Sequence, residues 1–143
     1  MADDAAPDPI LLARYLGDHR WEGRNERGAS VAVGPEGEDG VFSPGELLAI
    51  AVAACTGMSA ERRITSELGD EVALSVGATR HKNAEENRYE RIAVELVVAA
   101  SQMDPERRER MLRTARTAVD KLCTVSRSVT AGLEVDLTLE GEA

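Results

Sequence analysis

Residues 43–58 read SPGELLAIAVAACTGM, and the interpretation of this stretch decides the fold. Ser43, Pro44 and Glu46 form a helix start: a serine N-cap, a proline at the first helical position, and a glutamate at the third completing a capping box. The apolar run Leu47 to Cys55 follows without a polar face. Such a helix is expected to be buried on all sides rather than amphipathic. The helix continues through polar Glu61, Arg62 and Arg63 to about Leu68, where Gly69 is a natural stop.

Around this helix the chain alternates strand-like and turn-like segments. Upstream, Ile10 to Trp21 is expected as a first strand, Gly23 to Gly28 as a turn, and Ala29 to Val33 as a second strand. Gly34 to Gly40 has loop composition. Downstream, Val72 to Ala78 and Ile92 to Val98 alternate as two strands of an antiparallel pair, joined by polar His81 to Arg88. Asp104-Pro105 opens a second helix, whose apolar face runs from Met111 through Leu112, Ala115 and Val119 to Cys123. Leu133, Val135, Leu137 and Leu139 alternate with polar residues as a last strand with one dry face. The expected order is ββαββαβ, an α+β domain over residues 10–143 behind an acidic tail, 1–9.

Bulk properties narrow the function. The chain has 143 residues and a formal net charge of −9, which argues against a nucleic-acid partner and against an anionic membrane surface. The N-terminus has no basic or apolar leader, and the apolar run is too short to span a bilayer, so a cytoplasmic protein is expected. Two cysteines and two histidines show no metal-ligand spacing, and neither a metal nor another cofactor is expected. The basic run on the second helix, Arg107 to Arg116, is interleaved with acids and is read as a solvated face or dimer contact. On composition alone, Cys55 and Cys123 are space-filling core residues.

The pattern SPGELLAIAVAACTGM resembles the central-helix motif of the osmotically inducible protein C / organic hydroperoxide resistance (OsmC/Ohr) family, in which an Ala-rich run ends in the reactive cysteine. Cys123-Thr124-Val125-Ser126-Arg127 resembles its second motif, usually Cys-Pro-Val-Ser and a basic residue. Trp21-Glu22-Gly23 with Arg27-Gly28 resembles the segment carrying the family's active-site arginine. The resemblance covers roughly residues 17 to 140. It implies an intertwined homodimer around the central helix and a thiol peroxidase that reduces organic hydroperoxides. Cys55 would be the peroxidatic thiol, Cys123 the resolving thiol, Arg27 the activating guanidinium (Arg24 the second candidate), and Glu46 its orienting carboxylate. The reductant would be an external dithiol, in some branches a lipoylated protein.

The chemistry accounts for those residue types. A thiolate is the nucleophile, burial disfavours it, and a nearby guanidinium restores it. Three positions depart from the family pattern: Gly45 stands where the organic hydroperoxide branch has Glu, Thr124 replaces the proline, and the 34–42 connection is short. They point to a general OsmC-like branch. The competing function is a non-catalytic small-ligand-binding or redox-sensing protein on the same fold.

Overall fold

A computed structural model describes residues 10–141; the expected acidic tail, 1–9, lies outside the described residues. The elements run β1 Leu12–Gly17, β2 Arg20–Arg24, β3 Ser30–Val33, α1 Pro44–Leu68, β4 Leu74–Asn83, β5 Arg88–Val98, α2 Pro105–Leu122 and α3 Thr124–Ala131. The fold class is α+β, with two antiparallel sheets and three helices. The chain divides into two compact units between Leu48 and Ala49.

The first unit holds a three-stranded sheet in the order β1-β2-β3. The segment expected as a single strand, Ile10 to Trp21, is instead a hairpin, reversing at Asp18 and His19 with φ of 53° and 62°. Two consecutive positive φ angles make the tight turn whose twist suits a hairpin. An Asp-His pair is an uncommon carrier of it, which hid the turn from a reading tuned to Asn-Gly. Tyr15 and Trp21 face each other across the pair with ring centroids 5.3 Å apart.

The second turn starts later than expected, because Gly23 and Arg24 belong to β2. Gly23 lies opposite Val31, and a side chain at Gly23 would meet the Val31 methyl at 3.0 Å. Asn25 organises the turn: its Oδ1 accepts from the backbone N–H of Arg27 at 2.9 Å and of Ala29 at 3.0 Å. β3 therefore begins at Ser30 rather than Ala29.

α1 begins as its sequence implies. The Ser43 N–H donates to Glu46 Oε1 at 2.9 Å, and the Glu46 N–H donates to Ser43 Oγ at 3.1 Å. It ends where Gly69 takes a φ of 86° and its N–H bonds Thr65 O at 2.7 Å. Within the single chain α1 is buried on one face. Ala49, Val52, Ala53 and Thr56 are buried, while Leu48 (37%), Ile50 (44%) and Met58 (71%) stay exposed in the single chain.

In the second unit the β4–β5 hairpin is longer than expected. Pairing runs from Leu74↔Val98 to Asn83↔Arg88, with one irregularity at His81/Lys82. Half of the stretch expected as a polar connection, residues 81–83 and 88, is strand, because backbone pairing continues where no apolar alternation marks it. Ala60 and Ile64 of α1, Ala100, and Met111 and Ala115 of α2 make the core, with Leu74, Leu96 and Val98 of the hairpin packed against it. Asp104 caps α2, accepting from the Arg107 N–H at 3.2 Å.

The C-terminal part differs most from expectation. An unanticipated helix, α3, follows Cys123. The alternating segment after it forms no strand among the described residues; Leu133, Val135, Leu137 and Leu139 are 69%, 88%, 79% and 85% exposed. The observed order is thus βββαββαα. A strand needs an edge to pair with, and this segment has no partner strand among the described residues.

Candidate functional site

Cys55 and Cys123 come together in the second unit, and both are free thiols. Cys55 sits in α1, whose fixed rise and turn set Cys55 and Thr56 side by side on adjoining faces. Cys55 is partly exposed, Thr56 is buried, and Cys123 is fully buried at 0%. The last turn of α2 carries Cys123 inward: its N–H bonds Val119 O at 3.0 Å, and the chain then turns at φ −75° and ψ 88° into α3. Cys123 is at once the C-cap of α2 and the N-cap of α3.

This junction explains the second motif. Residue 124 is the first position of α3, where proline is well tolerated because its missing N–H is one of the orphan donors. The Cys-Pro of the family pattern would read as an N-cap and first helical residue. Thr124 fills the same slot without announcing it, which is why α3 went unseen.

The Cys123 thiol donates to Ser126 Oγ at 3.1 Å. Burial is the strongest influence on this thiol and pushes its pKa up. The hydroxyl and backbone N–H of Ser126, the Cys55 thiol and the Thr56 hydroxyl together outweigh it, so the net direction is down. The Ser126 N–H contributes to the field at the sulfur although it closes no cap hydrogen bond. Thr56 also donates to Val52 O at 2.8 Å. A cleft of about 410 Å³ borders Thr56 and Ser126, with Val94, Leu96 and Leu112 among its apolar walls and Arg116 and Asp120 also lining it.

Thr56 and Ser126 are the site residues that the sequence reading missed. The available signal was position: Thr56 directly follows one cysteine, and Ser126 stands three residues after the other, one helical turn away once α3 is recognised.

The remaining two candidates lie in the first unit. Glu46 is engaged in the capping box. Arg27 is an exposed residue of the β2–β3 turn. Its two neighbours in sequence have acidic partners: Arg20 binds Glu38 at 3.1 Å, and Arg24 lies 3.9 Å from Glu22. Arg27 has no carboxylate partner among the described residues. No cluster of metal-ligating side chains occurs among the described residues. No helix among them is long and apolar enough to cross a membrane.

Residues 37–138 match the family model described as OsmC-like protein. Proteins of Mycobacterium tuberculosis and Mycobacterium bovis, both named uncharacterized, are 39% identical over 127 residues, covering 89% of this chain and 93% of theirs. Among solved structures, a putative osmotic stress induced and detoxification response protein from Psychrobacter arcticus superimposes with a TM-score of 0.64 at 18% identity, over 87% of this chain and 90% of that one. The organic hydroperoxide resistance protein OhrB of Bacillus subtilis gives a TM-score of 0.53 at 21% identity, over 86% and 90%. These two likenesses establish a shared fold.

Proposed function

The chain belongs to the OsmC-like family, and on that premise we propose that it is a two-cysteine peroxidase reducing organic hydroperoxides to alcohols. The observation that carries the reading is the pairing of a partly exposed Cys55 with a buried, hydrogen-bonded Cys123. Two thiols of unequal access suit two successive roles. The Cys55 thiolate attacks one peroxide oxygen, the O–O bond breaks, and the alkoxide leaves as alcohol after taking a proton. Cys55 is left as a sulfenic acid. Cys123 then condenses with it, releasing water and forming a disulfide, which an external dithiol reduces by exchange. A lipoylated protein is a suitable donor, and the reducing cytoplasm is the compartment that fits free thiols.

Arg27, the arginine of its segment without a carboxylate partner among the described residues, is proposed to bind the peroxide oxygens and to steady the charge that develops as Cys55 attacks. Glu46 is proposed to orient it. The apolar walls of the cleft favour an alkyl tail, each buried CH₂ contributing about 0.8 kcal/mol that hydrogen peroxide cannot gain. The working unit is proposed to be a homodimer. The exposed Leu48, Ile50 and Met58 of α1, which lie outside its buried face, and the alternating stretch 133–139 are apolar surface that a second copy would cover.

The test is hydroperoxide consumption with a dithiol donor. Wild type should turn over an alkyl hydroperoxide faster than hydrogen peroxide, and Cys55→Ser should abolish turnover while keeping its fold. Retained turnover in that variant removes Cys55 as the peroxidatic residue, and equal efficiency on both substrates removes the organic preference. The second reading, a non-catalytic ligand-binding or redox-sensing protein, is favoured by the apolar cleft. It would be upheld by stoichiometric thiol oxidation without turnover, or by a small apolar ligand that co-purifies.

A further inference from the structure

We propose that Ser126 is a positioning residue for Cys123, taking the thiol proton as Cys123 attacks and then steadying the sulfur as an anion. The proposal deepens the two-cysteine reading and rests on it for its biological setting. Cys123 is fully buried, so no solvent molecule meets its sulfur directly. The thiol proton nevertheless has to leave whenever this cysteine becomes a nucleophile. Its hydrogen-bond acceptor is Ser126 Oγ at 3.1 Å, and Ser126 also borders the open cleft of about 410 Å³. Ser126 therefore holds the buried sulfur through its hydroxyl and also borders the cleft.

Thr56 is the competing hydroxyl; it also faces the Cys123 sulfur, but its influence there is smaller than that of Ser126, and it donates to Val52 O at 2.8 Å. The hydrogen of Ser126 Oγ is committed to no acceptor among the described residues. Ser126 can therefore accept while Cys123 is a thiol and donate once it is a thiolate, by rotating one bond.

The step balances as follows. Cys123 sulfur forms a bond to the sulfenic sulfur of Cys55, whose S–O bond breaks, and hydroxide departs. The Cys123 proton passes to Ser126 Oγ, and the serine's own hydrogen passes on to the hydroxide, giving water. Cys123 sulfur is oxidised, and the sulfenic sulfur is reduced to the disulfide level. In the reducing half, an external thiolate attacks Cys55, the more accessible sulfur. Cys123 then leaves as a thiolate that accepts from Ser126, and a better-stabilised thiolate leaves faster. One residue thus serves both halves of the cycle.

The experiment uses a symmetrical aryl disulfide that liberates a coloured thiolate, added at one equivalent to the reduced full-length protein. The first release reports attack by Cys55. The second reports displacement by Cys123 as the intramolecular disulfide closes. Ser126→Ala is expected to slow the second release by about tenfold or more, the scale of one hydrogen bond to a charged group, and to leave the first within about twofold, because Ser126 does not serve Cys55 in that step. Ser126→Thr, which keeps the hydroxyl, is expected to recover the second phase. An unchanged second phase in Ser126→Ala overturns the proposal, as does equal slowing of both phases or failure of Thr to recover the rate. No peroxide enters this assay. A wild type that closes the disulfide in two phases yet consumes no alkyl hydroperoxide would refute the peroxidase reading and leave the role of Ser126 standing.

Discussion

Cys55 and Cys123 carry the same functional group in different surroundings, and the difference sets their expected behaviour. The Cys123 pKa is drawn down by Ser126, Cys55 and Thr56 against the opposing effect of burial. A pKa lower in the folded than in the unfolded state adds stability as pH rises. The contribution is fully present above the unfolded value, about 8.5 for a free thiol, and is lost as pH falls through the folded value. Under reducing conditions, the stability of wild type relative to Cys123→Ser should therefore increase with pH through that window. A difference that stays flat or falls in urea titrations would contradict the assigned direction. At the first unit's turn, Arg27→Met should slow peroxide attack by about a hundredfold or more, the usual scale for losing one charge-stabilising donor. Arg24→Met should do little, since Arg24 already has Glu22 beside it. An unchanged Cys55 reactivity profile in Arg27→Met would move the role to Arg24 or Arg20.

The elements were legible in proportion to how local their signals are. The start of α1 rests on Ser43, Pro44 and Glu46 alone, and every part of that signal is realised in hydrogen bonds. α2 was equally plain from Asp104-Pro105. The β1–β2 turn and α3 were missed because Asp18-His19 and Cys123-Thr124 are weak forms of their signals. The α1 cap also lets two duties of Glu46 be separated. Glu46→Gln preserves a capping box, since Gln can accept the same Ser43 N–H, so thermal stability should stay nearly constant. Ser43→Ala should cost about 1 kcal/mol. If Glu46 also orients a guanidinium, Glu46→Gln should lose peroxidase rate despite its intact fold. Full activity in Glu46→Gln would remove the orienting role.

At the scale of the whole molecule, the single chain leaves apolar surface that its own elements do not cover. Leu48, Ile50 and Met58 lie exposed along a helix whose other face is core, and the 133–139 stretch keeps a strand's alternation without a strand's pairing. Isolated exposed hydrophobics are ordinary, whereas several on one helix together with a whole amphipathic segment left uncovered point to an interface. The expectation is a dimer at micromolar concentration by light scattering. Met58→Glu or Ile50→Glu, which places a charge on that uncovered apolar surface, should shift the species toward monomer. A monomeric wild type would refute the dimer.

The amino-acid sequence alone determined the class of the fold, both long helices with their caps, the central hairpin and the two cysteines. Each of these depends on neighbours within a few residues, through capping, alternation or helical spacing. Only the tertiary structure decided what Cys123 touches, because Thr56 and Ser126 reach its environment from different helices. It alone decided that the α1 face expected to be buried is half open, since burial depends on what packs opposite and not on the helix itself. The same reason holds for the last segment. Leu133 to Leu139 has the pattern of a strand, but a strand exists only where a second edge supplies its hydrogen bonds.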